Sequence, residues 1–114
     1  LIFHVNWFRK SADGKFLWPG FGDNMRVLKW IIERCEGRGG AAESAIGYIP
    51  RAQDLDLDEL SSISAEQMQE LLSVNAREWQ AELAGHAEFF DSLGGVVPGE
   101  LLGQREKLAM RLAG

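Results

Sequence analysis

The residues best suited to chemistry lie in one stretch, Phe16-Leu17-Trp18-Pro19-Gly20-Phe21-Gly22-Asp23-Asn24. Three aromatic rings, one proline and two glycines fall within nine residues. Rings are costly to expose in a loop, because each has a large apolar area to bury. Gly20 and Gly22 admit backbone geometry that other residues resist, and Pro19 fixes its own φ. The stretch encodes a shaped, rigid turn with rings on its wall. Such a turn can hold a flat ligand between aromatic faces, or it can be a packed corner. Composition favours the corner, since aromatic residues belong mostly to cores. Asn24 stands where a helix begins, and its amide can cap that helix or read a ligand edge. Upstream, Phe8 ends an apolar run, and Asp13-Gly14 marks a turn between it and Phe16.

Other reactive side chains carry less. His86 falls in the apolar seam of a tail helix, with no carboxylate or cysteine at metal spacing, so it reads as a core or rim histidine. His4 has no spaced partner either. Cys35 reads as a small core side chain, lacking the histidine or helix N-terminus that favours a thiolate. Asp54, Asp56 and Asp58 alternate with leucines. Without the staggered ligands and glycine of a calcium loop, they read as a solvated acidic face. The glycine-rich run Glu36 to Gly40 lacks the preceding strand and following Lys-Ser/Thr of a phosphate loop.

The elements that must position the aromatic loop follow from periodicity. Leu1 to Phe8 reads as a β-strand, apolar enough at its start to be covered on both faces. Arg9 to Gly14 is a polar connection, and Lys15 to Trp18 reads as a short return strand. Between Met25 and Cys35, Val27, Leu28, Ile31 and Cys35 fall at helical spacing, flanked by Met25 and Ile32. Asp23 or Asn24 would cap this helix, and Gly37 would stop it. Ile46 to Ile49 reads as an edge strand or extended link ended by Pro50. Ser64-Ala65-Glu66-Gln67 is a capping box opening a helix with Met68, Leu71 and Leu72. Ser73 or Asn75 starts the next helix, whose stripe runs Trp79, Leu83, His86, Phe90 and Leu93 until Gly94-Gly95 ends it. Pro98 begins a last helix with Leu101, Leu102, Leu108 and Leu112 on its buried side.

At 114 residues the chain is at most one domain, and its 46% hydrophobic and 25% charged content is that of a globular protein. A net charge of -5 argues against nucleic acid as main partner. No apolar run is long enough to span a bilayer, so no membrane partner is expected. A single cysteine excludes an internal disulfide and fits a reducing, cytoplasmic setting. The start at Leu1, without methionine, reads as a piece of a longer protein.

Three blocks carry a family resemblance. They are Phe3-His4-Val5-Asn6-Trp7-Phe8-Arg9-Lys10, the loop Gly14-Lys15-Phe16-Leu17-Trp18-Pro19-Gly20-Phe21-Gly22 with Asn24, and Ile46-Gly47-Tyr48-Ile49-Pro50. They closely resemble the C-terminal part of GTP-dependent phosphoenolpyruvate carboxykinases, over the whole chain but more loosely after Leu60. The resemblance implies that the guanine of GTP or GDP is held between phenylalanine rings and read at its edge by an asparagine. The matching positions are Phe8, Phe16, Phe21 and Asn24, with Trp7 nearby; Asp23 replaces the more usual glutamate. Stacking supplies about 1–3 kcal/mol per base and discriminates poorly between purines, so the edge must decide. The resemblance further implies a lyase that converts oxaloacetate and GTP to phosphoenolpyruvate, carbon dioxide and GDP with Mn2+ and Mg2+. The family's phosphate loop and lysine, metal-binding histidine and aspartate, and substrate arginines have no match in this segment.

The expected fold is α+β: an N-terminal strand or hairpin and the aromatic loop, then about four helices. In the parent enzyme these would belong to the α/β C-terminal nucleotide-binding domain. Residues 1–24 would form the guanine-binding strand and loop, and residues 25–114 a mainly helical packing segment. The implied partners are a guanine nucleotide and the rest of the parent chain. The rival reading is a non-enzymatic interaction module in which Trp18, Pro19 and Phe21 contact another protein. An uncovered strand at Ile2 to Phe8 also predicts self-association of the isolated piece. Because phosphoryl transfer relies on a positioned metal and phosphate clamp, the 114-residue chain alone is predicted to be inactive. An assay with oxaloacetate, GTP and manganese checks this, and turnover would overturn it.

Overall fold

A computed structural model describes all residues, 1–114. Its elements are α1 (Asn24–Cys35), the strands β1 (Ala42–Ser44) and β2 (Gly47–Ile49), α2 (Ala65–Leu71), α3 (Ala76–Ser92) and α4 (Gly99–Ala113). Short 3-10 turns cover Phe21–Asp23 and Ala52–Asp54. This is the expected α+β class with four helices. No helix is long and apolar enough to cross a membrane. The residues fall into two compact units: Leu1–Glu43 with Tyr48–Ser73, and Ser44–Gly47 with Val74–Gly114.

The first unit is built on Trp18, Trp30, Leu55 and Met68, with Phe3, Trp7, Val27, Ile31 and Leu72 among the side chains packed around them. Phe3 sets its ring edge-on to Trp30 at 5.8 Å and 84°. Burying a side chain such as Leu55 or Met68 contributes about 1.5–3 kcal/mol. The segment Leu1–Phe8 departs from expectation. It forms no strand; Phe3, Val5 and Trp7 are half-buried while Ile2, His4, Asn6 and Phe8 are exposed. That alternation covers one face only, not two. A strand also needs a neighbouring backbone to accept and donate its ladder bonds, and no segment of this chain pairs with this one. The hairpin is reduced to a single antiparallel bridge between Lys10 and Phe16. Its turn closes through the Gly14 amide donating to the Ser11 carbonyl at 2.9 Å.

In α1 the buried residue is Trp30, with Val27 and Ile31 beside it, whereas Met25, Leu28 and Ile32 are exposed. The expected stripe through Leu28 and Cys35 is thus rotated toward the larger indole, whose area dominates the choice of face. Cys35 is exposed and takes no part in the core. Gly37, at φ 76°, stops the helix as expected. The following loop folds back tightly: the amides of Arg38 and Gly39 both donate to the Glu33 carbonyl at 3.0 Å. Beyond it, β2 finds a partner in β1, which periodicity over so few residues does not reveal.

The aspartate run is also different from expectation. Asp54 accepts from Arg51 Nε at 2.8 Å and from the Arg51 amide at 2.8 Å, closing a 3-10 turn. Asp56 accepts from Lys29 Nζ at 2.6 Å. Only Asp58 is free of an ion pair, so the three carboxylates form no common solvated face. Hydrogen bonding to Arg51 and to Lys29 holds the carboxyls of Asp54 and Asp56 below the ordinary aspartate range. Depressed values favour the fold above the unfolded aspartate pKa, and that contribution is lost as pH falls through the lower folded values.

Ser64 caps α2 as a capping box: its Oγ accepts the Gln67 amide at 3.1 Å, and Gln67 Oε1 accepts the Ser64 amide at 2.9 Å. In the second unit, Asn75 caps α3, accepting from the Arg77 amide at 3.0 Å. Helices α3 and α4 run antiparallel, with Leu83 and Leu112 buried. Arg105 donates to the Leu83 carbonyl at 2.9 Å, and Arg111 Nε to the Ala45 carbonyl at 2.7 Å. Trp79, His86 and Phe90 are half-buried along the expected seam, while Leu93, Leu101 and Leu102 are exposed. The buried side of α4 is carried by Leu108 and Leu112.

Two glycines test this packing. A Cβ at Gly39 would stand 2.9 Å from the Arg34 backbone nitrogen, inside contact distance of a helix that cannot give way. At Gly85, inside α3, a Cβ meets nothing within 4 Å. Gly39→Ala is expected to lower unfolding free energy by about 1–3 kcal/mol. Gly85→Ala is expected to raise it by about 0.5–1 kcal/mol. Denaturant titration of both variants checks the pair.

Candidate functional site

The aromatic loop is fastened at its base. Leu17 and Trp18 are buried, at 3% and 6% exposure, and so pin the loop to the core. The Leu17 amide donates to the Arg9 carbonyl at 2.9 Å. The Arg9 guanidinium donates to the carbonyls of Leu71 and Ser73 at 3.0 and 2.8 Å, satisfying the C-terminal end of α2. Gly20, at φ 117° and ψ -165°, takes a conformation open only to glycine. It turns the chain into the 3-10 turn Phe21–Asp23, which runs directly into α1.

This anchoring leaves three rings outside. Phe8 and Phe16 meet at 5.9 Å with planes tilted by 60°. Lys10 Nζ lies 5.3 Å from the centre of the Phe16 ring, on its face. Phe21 is 92% exposed and touches no other aromatic ring. The tilt means Phe8 and Phe16 make one wall together, not two faces of a slot. Trp7 turns inward to the core and adds nothing to that wall. Trp18 is likewise buried, so it is not available to contact a partner protein, as the interaction-module reading had it.

Asn24 is the first residue of α1, and its Oδ1 accepts the indole N–H of Trp18 at 2.9 Å. Neither Asn24 nor Asp23 caps the helix through its side chain. The preceding 3-10 turn already occupies the Asn24 amide, which donates to the Phe21 carbonyl. Asp23 instead accepts from Arg26 Nε at 2.9 Å, and Arg26 reaches on to the Asp56 carbonyl at 2.7 Å. The loop's end is therefore tied to the helix it opens and to the chain beyond β2. Sequence reasoning missed Trp18 as the partner of Asn24 and Arg9 as the clamp on α2. Both bonds join residues whose spacing follows no helical or strand period.

The glycine-rich loop after α1 spends the amides of Arg38 and Gly39 on the Glu33 carbonyl, so they are not directed at an anion. No three histidine, cysteine, aspartate or glutamate side chains come together in a way that fits a metal ion.

Residues 1–111 match the family model for the phosphoenolpyruvate carboxykinase C-terminal P-loop domain. The chain belongs to this family. Among similar proteins, a phosphoenolpyruvate carboxykinase (GTP) of Renibacterium salmoninarum is 53% identical over 111 residues, covering 97% of this chain and 18% of that protein. Those of Corynebacterium efficiens and Anaeromyxobacter dehalogenans are 51% and 50% identical, with the same coverage of 97% and 18%. The chain thus spans less than a fifth of the carboxykinases it matches.

Within this carboxykinase-family segment the Trp18–Asn24 bond makes a stability prediction. Asn24→Asp keeps an oxygen acceptor for the indole and is expected to leave the unfolding midpoint unchanged. Asn24→Leu strands a buried indole donor and is expected to cost about 1–3 kcal/mol. Thermal melts of both variants check it; equal midpoints would show that the bond carries no stability.

Proposed function

We propose that Phe8, Phe16, Phe21 and Asn24 form the guanine-base site of a GTP-dependent phosphoenolpyruvate carboxykinase. The observation that carries this reading is the outward placement of Phe8, Phe16 and Phe21 while Leu17 and Trp18 hold their loop in the core. A soluble loop gains nothing by exposing three rings at once unless another surface covers them. A purine is such a surface: flat, polarisable and edged with donors and acceptors. The wall of Phe8 and Phe16 takes one part of the base, Phe21 closes over another, and Asn24 stands at the loop's end to meet its edge. Lys10, over the Phe16 ring, adds positive charge beside the site. The names of the relatives, phosphoenolpyruvate carboxykinase (GTP), supply the nucleotide and the reaction class.

In this reading, residues 1–24 are the base-binding N-terminal segment and loop and the remaining residues a packing segment. The full enzyme uses GTP and oxaloacetate to give phosphoenolpyruvate, carbon dioxide and GDP. Base recognition here fixes one end of the nucleotide, which positions the phosphates for residues supplied by the rest of the enzyme. The 114-residue piece alone is inactive, and its unpaired backbone at Leu1–Trp7 favours self-association, which light scattering at several concentrations checks.

Phe21→Ala tests the reading. With its ring 92% exposed, its loss should leave the fold intact. In the full-length enzyme the loss of one stacking face should weaken GTP binding by about 1–3 kcal/mol. Calorimetric titration with GTP measures this, and unchanged affinity in a folded variant would sink the assignment.

A further inference from the structure

The bond between Trp18 and Asn24 has a consequence for ligand choice. Indole Nε1 only donates, so the amide atom facing it at 2.9 Å is the oxygen. Asn24 Nδ2 donates to no protein acceptor and remains for a ligand. A carboxamide offers a donor beside an acceptor. In one orientation that edge matches guanine, donating to O6 and accepting from N1–H. Flipped by 180°, it matches adenine, accepting from the N6 amino group and donating to N1. A freely turning asparagine therefore serves either purine. A locked one serves a single purine.

Trp18 provides the lock. Flipping Asn24 would set the Nδ2 donor against the indole donor and leave both without acceptors, at a site where Trp18 is 6% exposed. The same burial keeps the Trp18 ring off the base, so any influence on the ligand passes through Asn24. We propose that Trp18 is a positioning residue that sets the preference for guanine over adenine nucleotides by fixing the flip of the Asn24 amide. The proposal rests on the base-site reading given above.

The experiment compares GTP and ATP affinities of the full-length enzyme with those of three variants: Trp18→Phe, Asn24→Ala and the double variant. A fourth protein carries the benzothienyl analogue of tryptophan at position 18, which keeps both rings and lacks only the N–H. The expected result is a fall of at least about tenfold in the GTP-to-ATP preference for Trp18→Phe and for the analogue. Asn24→Ala should lose as much, and the double variant no more than Asn24→Ala. If Trp18→Phe does not fold, the analogue decides. Preference retained in the analogue but lost in Asn24→Ala overturns the positioning role and leaves the base site standing. Preference retained in Asn24→Ala overturns the base-site reading and this proposal with it.

Discussion

A buried indole N–H must find an acceptor, and this requirement shapes the loops on both sides of α1. Trp18 donates to Asn24 Oδ1 at the helix's start, and Trp30 donates to the Gly40 carbonyl beyond its end. The first bond spans the 3-10 turn Phe21–Asp23, and the second spans the end of α1 and the loop after it. An unpaired indole would cost about 1–3 kcal/mol in either place, a large share of a small unit's stability. The aromatic loop before the helix and the glycine-rich loop after it are therefore held by the same kind of constraint. Backbone freedom at Gly20 and Gly37 lets the chain meet it.

This constraint also separates buried aromatics from exposed ones. Leu17 and Trp18 face the core, while Phe16 and Phe21, their near neighbours, face out. The rigidity of the loop comes from the buried pair, and its exposed aromatic surface from the other. A site supported in this way loses little conformational entropy when it is filled, because its backbone is already placed.

Much of this was legible in the residues. The capping box at Ser64, the stop at Gly37, the Asn75 cap and the seam through Leu83 followed local rules and stand as expected. Local rules failed where a distant or large side chain decided the outcome. Trp30 turned α1 onto a different face from the one Leu28 and Cys35 marked. Arg51 and Lys29 claimed Asp54 and Asp56 individually, and the strand expected at Leu1–Phe8 found no ladder partner. For the proposed base site, resemblance named the four residues, and the contacts around them show how each is held. They put Phe8 and Phe16 on one wall, leave Phe21 alone, and tie Asn24 to an indole.

The Arg9 clamp joins two events that would otherwise be separate. Its backbone carbonyl holds the root of the aromatic loop through Leu17, while its guanidinium holds the carbonyls of Leu71, the last residue of α2, and of Ser73 just beyond it. Fraying of that helix end and loosening of the ring wall thus draw on a single side chain. Opening either one releases part of the other, so the two segments form a common unit of local unfolding. Protons on the amides of Leu72 and Leu17 would then exchange with solvent in step, and a molecule seated against Phe8 and Phe16 would slow both.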